Sequence, residues 1–300
     1  MTRITAIGEC MVEMAPTDSP GTYRMGFAGD TMNTAWYLRR LLGSAHAVDY
    51  LTAVGTDAVS DDMVAFLSDA GLGIDHVLRR DGRTVGLYLI RLTDGERSFG
   101  YWRGQSAART LAADGATLTR ALSGADMAYL SGITLAILPD LDRQTLLDTL
   151  ATFRADGGRI VFDPNLRPAL WDTPDAMRAA VMQAAALSHT VLPSHEDEAT
   201  WFGDAGPTAT ADRYAAAGAA CVVVKNGPGE IVTRANGETT RHPPVTADRV
   251  LDTTAAGDSF NAGYLAARID GADLPEAVAR AATLAASVIG QRGALVDPGA

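Results

Sequence analysis

From about residue 120 the 300-residue chain alternates short apolar runs with helix-length segments, and this rhythm restricts the fold more than any other feature. The runs 127–130, 159–162, 190–192 and 221–224 read as strands, and helical patterns fall near 139–152, 174–186 and 209–217. Strands that alternate with helices predict a mostly parallel sheet flanked by helices on both faces, an α/β class. Two Ala-rich segments, 256–269 and 274–289, follow a polar hairpin near 230–242. Alanine at helical spacing permits close packing on a sheet, so these segments read as core.

The first third breaks the rhythm. A buried strand over 4–8 gives way at 11–28 to Met, Pro, Gly and aromatics, which predict short strands and turns. Helical spacing begins after Gly29-Asp30-Thr31 and stops at Gly43; 50–54 reads as a strand and 61–70 as a helix. The runs 84–92 and 97–103 flank Thr93-Asp94-Gly95-Glu96, a hairpin signal. The segments 11–28 and 84–103 are expected to pair as a small β-sheet lid on a single domain spanning 1–300.

Composition then excludes several functions. With 36 acidic against 25 basic residues the chain has no general attraction for nucleic acid or an anionic membrane, so an anionic ligand needs a local site. Lys225 is the only lysine, and Asn226 follows it, which rules out a Walker A loop. Cys10 and Cys221 form no CxxC pair and read as buried free thiols. His189 and His195 lack metalloprotease spacing. No signal-peptide core opens the chain, and no apolar run reaches the roughly 18 residues of a membrane span. A cytoplasmic protein is expected.

Chemistry concentrates in Asp252-Thr253-Thr254-Ala255-Ala256-Gly257-Asp258-Ser259-Phe260-Asn261-Ala262-Gly263. Small residues before a helix leave its first N–H groups unobstructed, and with the helix dipole they form an anion hole. Asp258 falls in the first turn, where a carboxylate either complements the dipole or takes a proton from an attacking hydroxyl. Arg103 follows two aromatics on an expected lid strand, and Arg167 sits in a loop after a core strand. Either reads as a surface arginine or as a planar fork for a carboxylate.

The run 252–263 resembles the C-terminal signature of the ribokinase-like PfkB sugar kinases, and Gly29-Asp30-Thr31-Met32-Asn33-Thr34-Ala35 resembles their N-terminal signature. Further matches at Gly8-Glu9-Cys10-Met11, Gly86-Leu87-Tyr88, Gly95-Glu96-Arg97, Tyr101-Trp102-Arg103, Tyr129-Leu130-Ser131-Gly132-Ile133 and 162–168 cover nearly the whole chain. They narrow the resemblance to members that phosphorylate a keto-deoxy sugar acid. The resemblance implies a ribokinase-like fold and transfer of phosphate from ATP to the 6-hydroxyl of 2-keto-3-deoxy-D-gluconate. Asp258 would be the base, and the N–H groups around Ala255, Ala256 and Gly257 would hold the transferring group. Gly29, Asp30, Asn33, Tyr88, Tyr101, Arg103 and Arg167 would bind the sugar acid, while Trp102 would point to the opposite strand face and pack.

For the nucleotide, the resemblance implies Asn165, Ser194, Lys225, Gly227, Gly229 and Gly257 near the phosphates and Thr283 beside the adenine. Pro193-Ser194-His195-Glu196-Asp197 departs from the family's Asn-x-x-Glu, with Ser194 and Asp197 in the two altered positions. Asp197 would reach Mg²⁺ through water, and Asp252 and Thr254 would neighbour a monovalent cation, K⁺. An exposed lid face would pair copies into a dimer or larger homo-oligomer. A neutral-sugar kinase of the fructokinase or ribokinase kind is the alternative acceptor class. It would leave Arg103 and Arg167 without a counter-charge. An inactive sugar-acid sensor would need neither Asp258 nor the anion hole.

Overall fold

The computed structural model describes residues 1–93 and 96–297, with the side chains of 92, 93, 96 and 97 left aside. Strands in chain order are β1 (Arg3–Ile7), β2 (Met11–Pro16), β3 (Tyr23–Ala28), β4 (Ala47–Val54), β5 (Val77–Arg79), β6 (Gly86–Thr93) and β7 (Glu96–Trp102). Then come β8 (Met127–Ser131), β9 (Arg159–Asp163), β10 (Thr190–Val191), β11 (Cys221–Val224), β12 (Ile231–Ala235) and β13 (Glu238–His242). Helices are α1 (Asp30–Leu41), α2 (Ala58–Asp69), α3 (Gly115–Leu122), α4 (Gly132–Ile137) and α5 (Asp140–Ala155). They continue with α6 (Pro174–Leu187), α7 (His195–Phe202), α8 (Pro207–Ala216), α9 (Ala256–Ile269) and α10 (Leu274–Ile289).

The main sheet runs β13-β12-β11-β10-β9-β8-β1-β4-β5. Pairing is parallel from β11 through to β5, and β12 and β13 extend it as an antiparallel hairpin. Successive strand residues enter opposite cores, as a period of two requires. Val223 packs with Tyr37, Tyr264 and Leu265 on the face of α1, α9 and α10. Val222 and Val224 join Leu150, Met177 and Tyr214 on the face of α5, α6 and α8. Among the described residues, no helix is long and apolar enough to cross a membrane.

A second sheet, β3-β2-β6-β7, is built from the two segments expected to pair. β2 is antiparallel to β3 and parallel to β6, and β6 and β7 form the expected hairpin. Asp94 and Gly95, the centre of its expected turn, lie outside the described residues. Trp102 alternates away from Tyr101 but is 64% exposed, so within the monomer it does not pack as expected. Cys10 is a buried free thiol as expected, between β1 and β2, whereas Cys221 is only half-buried, its Sγ 3.5 Å from Tyr264 Oη.

Short elements escape the sequence rhythm. β5 has three residues, and α4 has six, held by a capping box in which Ser131 accepts from the Thr134 N–H. α7, for which the sequence offered no helical pattern, opens on Glu196, Asp197 and Glu198, and Glu198 is fully buried. Its carboxylate accepts from Arg213 Nη2 at 2.7 Å and Tyr214 Oη at 2.9 Å, which anchors α7 to α8. Burial pushes the Glu198 carboxyl up to about 7.

Candidate active site

The carboxyl ends of β8, β9 and β11 converge on the N-termini of α1 and α9, the place where a parallel sheet binds ligands. Asp163 ends β9, and its Oδ2 accepts from Lys225 Nζ at 2.8 Å and Asn261 Nδ2 at 2.6 Å. Asn261 Nδ2 also reaches Tyr129 Oη at 3.0 Å, and that hydroxyl is 3.1 Å from Thr34 Oγ1. Thr34 returns to the Asp258 carbonyl at 3.3 Å. This buried polar chain fixes α1, α9 and three strand ends relative to one another.

The residue before α9 has an unusual backbone. Ala255 takes φ +58° and ψ +14°, the left-handed region that a β-carbon disfavours by about 1–2 kcal/mol. No side chain caps the helix there, and of its first N–H groups that of Ala256 donates to the Thr253 carbonyl at 3.3 Å. A β-carbon on Gly257 would lie 3.6 Å from Lys225 Nζ, which puts the sole ammonium beside the helix N-terminus. Backbone donors, dipole and ammonium thus favour an anion at one point.

Asp258 stands in the first turn of α9, and Asn33 Nδ2 donates to its Oδ2 at 2.8 Å. Burial, followed by the neighbouring charge of Asp30, pushes its carboxyl up to about 8. The Asn33 hydrogen bond and Lys225 pull the other way. The residue as a whole is partly exposed, while its carboxylate is buried. Asp30 in turn accepts from Asn165 Nδ2 at 2.8 Å, and Asn165 has φ +35° at the loop after β9. Asp258, Asn33, Asp30, Asn165, Lys225 and Gly257 are therefore one cluster, with Ala255 and Ala256 at its edge.

The sugar-acid candidates fall in two further groups. Arg103 leaves β7 and pairs through Nη2 with Glu9. Tyr88 is buried, gives its hydroxyl to Glu13 and sits 6.0 Å, ring to ring, from the exposed Tyr101. Gly29 precedes α1, and a β-carbon there would come within 2.2 Å of the Glu9 carbonyl oxygen, so a close backbone crossing requires glycine. Arg167 is half-exposed, with Nη1 3.6 Å from Asp197 Oδ2. Both arginines thus have a carboxylate partner within the chain, so the expectation that a neutral sugar would leave them without a counter-charge does not hold. Burial raises the Asp197 carboxyl and Arg167 lowers it.

Of the nucleotide candidates, Ser194 caps no N–H of α7, but bridges to Lys225 just past the carboxyl ends of β10 and β11. Gly227 and Gly229 form the turn after β11, with φ +51° at Gly227. Thr283 is exposed on α10 and donates to Ala279 O. A cleft of about 370 Å³ opens one turn further on, bounded by Asp248, Arg249, Ala286, Ser287, Gly290 and Gln291; Thr283 is not in its wall. Asp252 orders the loop into α9, accepting from the N–H groups of Thr254 at 2.9 Å and Gly293 at 2.8 Å.

Asp163, Asn261, Tyr129, Glu9 and Glu13 received no role from the sequence. For Asp163 a signal existed, since it closes a core strand at its carboxyl end. Glu9, Tyr129 and Asn261 lie within matched motifs, but their partners are remote in the chain, and Glu13 carried no signal.

A carboxylate and a lysine at a helix N-terminus, beside the carboxyl ends of a mostly parallel sheet, suit an enzyme that moves a phosphoryl group. The pfkB family carbohydrate kinase model matches residues 1–298, and the chain belongs to that family. It is 38% identical to 2-dehydro-3-deoxygluconokinase of Dickeya dadantii (strain 3937), over 98% of this chain and 96% of that one. The enzyme of the same name from Escherichia coli (strain K12) is 36% identical over 98% and 97%. Among solved structures, a PfkB protein from Polaromonas sp. JS666 superimposes with a TM-score of 0.83 at 29% identity, covering 98% of this chain and 97% of that one.

Proposed function

We propose that this protein transfers the γ-phosphoryl group of ATP to the 6-hydroxyl of 2-keto-3-deoxy-D-gluconate, giving 2-keto-3-deoxy-6-phosphogluconate. The observation that carries the chemistry is the Asp258 carboxylate in the first turn of α9, held by Asn33 Nδ2 at 2.8 Å, and the 2-dehydro-3-deoxygluconokinase relatives point to the acceptor. Asp258 takes the proton as the hydroxyl oxygen bonds to the γ-phosphorus, and the bond to the bridging β,γ-oxygen breaks to release ADP. The N–H groups around Ala255, Ala256 and Gly257, with Lys225, stabilise charge on the group in flight. Asn33 aims the Asp258 carboxylate. Arg103 and Arg167 take the sugar carboxylate, with Gly29, Asp30, Tyr88 and Tyr101 around the sugar.

In this reading Asn165, Ser194, Gly227 and Gly229 border the triphosphate, and the base lies along α10 near Thr283. The four-stranded sheet acts as a lid over the sugar, excluding water as a competing acceptor.

The donors present suit Mg²⁺. Asp30, Asp163, Asp197 and Asp258 are hard oxygen ligands near one another, yet among the described residues no three acidic, His or Cys side chains form a cage of their own. Mg²⁺ binds in that way, through one or two carboxylates, waters and substrate phosphates. Asp197 and Asn165 would hold it through water, and when bound it neutralises phosphate charge. K⁺ beside Asp252 and Thr254 belongs to the same reading and is tested by replacing it with tetramethylammonium.

Tyr23, Met25 and Trp102 are 38%, 48% and 64% exposed, and the strand register puts them on one face of the second sheet. Pairing of that face with a second copy makes a homo-oligomer, which sedimentation tests. ATP consumption suits a cytoplasmic enzyme.

The deciding experiment is coupled ADP release with Mg-ATP and a panel of 2-keto-3-deoxygluconate, its galactonate epimer, fructose, ribose and adenosine. Preference for the keto-deoxy acids, lost in Asp258→Asn, supports the reading; preference for a neutral sugar overturns the acceptor.

A further inference from the structure

The chain crosses between the main sheet and the four-stranded sheet at four places, and one residue meets the other three crossings, one through its backbone and two through its side chain. Glu9 lies on the first crossing, between β1 and β2. Gly29 lies on the second, between β3 and α1, and a β-carbon there would stand 2.2 Å from the Glu9 carbonyl oxygen. Gly86 opens β6 on the third, and its β-carbon would stand 2.7 Å from Glu9 Oε1 and 3.2 Å from Arg103 Cβ. Arg103 lies on the fourth, just past β7, and its Nη2 pairs with Glu9 Oε2. Residues 9, 29, 86 and 103 are thus a single knot, and the two glycines are the places where it admits no side chain.

The ion pair at its centre is nearly dry. The side chains of Arg103 and Glu9 are 10% and 1% exposed, and Arg103 Nε and Glu9 Oε1 have no hydrogen-bond partner among the described residues. A buried pair of this kind is weak evidence for stability, because desolvation offsets the Coulomb attraction. What it does supply is direction. A guanidinium tied at one nitrogen is pre-organised, so less side-chain entropy is lost when its remaining donors engage a ligand.

We propose that Glu9 is the positioning residue for Arg103, and that the four-crossing knot around Glu9 sets how the second sheet presents that guanidinium to the substrate carboxylate. The inference rests on the reading above, in which Arg103 binds that carboxylate. Glu9 acts through Arg103 and touches no reacting atom. Gly86 is part of the device, because a methyl group there would displace the Glu9 carboxylate.

Steady-state kinetics of Glu9→Gln, Gly86→Ala, Arg103→Met and the Glu9→Gln/Arg103→Met double variant test it, with melting curves for each protein. Glu9→Gln is expected to raise KM for 2-keto-3-deoxygluconate about tenfold, with kcat and KM for ATP changed roughly twofold or less. Gly86→Ala should show the same split, and serves as the independent test should Glu9→Gln fail to fold. In the Arg103→Met background, Glu9→Gln should add nothing further. An unchanged or lowered KM for the sugar acid in Glu9→Gln, or an equal penalty in both backgrounds, overturns the role of Glu9 while leaving the kinase intact. If Arg103→Met itself leaves that KM unchanged, the carboxylate reading of Arg103 falls, and the role of Glu9 with it.

Discussion

Asn33 donates from Nδ2 to Asp258 Oδ2 at 2.8 Å across 225 positions of chain, joining the first turn of α1 to the first turn of α9. The two signatures seen in the sequence are therefore two halves of one hydrogen bond. The bond holds a carboxylate that its surroundings disfavour: burial and Asp30 raise the Asp258 carboxyl, and Asn33 is the first of the groups that lower it.

Asp258→Asn should lower kcat by about a thousandfold, the range expected for loss of a general base. It should also stabilise the fold. Unfolded, an aspartate titrates near about 3.9, whereas Asp258 in the folded protein titrates at about 8. Its contribution is thus unpenalised below the unfolded value and grows costly as pH rises towards the folded one. Melting temperatures of the two proteins should converge near pH 4, draw apart progressively as pH rises to about 8 and stay apart above it, with the variant higher by roughly 2–4 °C for each kcal/mol recovered. A variant no more stable than the parent at pH 8 would contradict the raised carboxyl.

The same residue sets a pH profile. If Asp258 must be ionised to accept the proton, kcat/KM should climb with pH through a single step near 8. Asn33→Ala removes a donor that favours the charged form, so the step should move to higher pH and the plateau should fall less than the value at pH 7. A step left in place by Asn33→Ala would detach it from Asp258.

Arg167 separates binding from stability. Its contact with Asp197 is 3.6 Å long and half-exposed, so Arg167→Gln should cost less than about 1 kcal/mol of stability. If Arg167 meets the substrate carboxylate, KM for the sugar acid should nevertheless rise tenfold or more, about what loss of a charge-assisted hydrogen bond costs. KM for ATP should stay put. Equal rises in both Michaelis constants would place Arg167 at the nucleotide instead.

How far these parts could be read from the sequence depended on distance along the chain. The parallel sheet, α9 with Asp258, and α1 with Asn33 were legible because each rests on local periodicity or on small residues before a helix. The left-handed Ala255 was not, since nothing in Thr-Thr-Ala-Ala-Gly marks which residue takes positive φ. Nor was the pairing of Glu9 with Arg103 or of Asp163 with Asn261, which link residues 94 and 98 positions apart. α7 was hidden for a different reason. Its acidic opening reads as solvated, and only Arg213 and Tyr214 from α8 make burial of Glu198 tolerable.

Lys225 gives the sharpest contrast between a group's worth to the fold and its worth to the chemistry. Its Nζ is bound to Asp163 Oδ2 at 2.8 Å and Asn261 Oδ1 at 3.1 Å, in a residue only 8% exposed. Lys225→Met leaves Asp163 as a buried carboxylate without its cation, and removing one partner of such a pair costs about 3–5 kcal/mol. Lys225→Met/Asp163→Leu removes both charges, and stability should return to near the parent value because the desolvation penalty disappears as well. Turnover should not return, since the ammonium beside Gly257 is absent in both variants. Urea midpoints and kcat measured on the two proteins separate the effects. Recovery of kcat in the double variant would show that Lys225 serves only to neutralise Asp163, whereas recovered stability without turnover would show that the pair serves the chemistry and not only the fold.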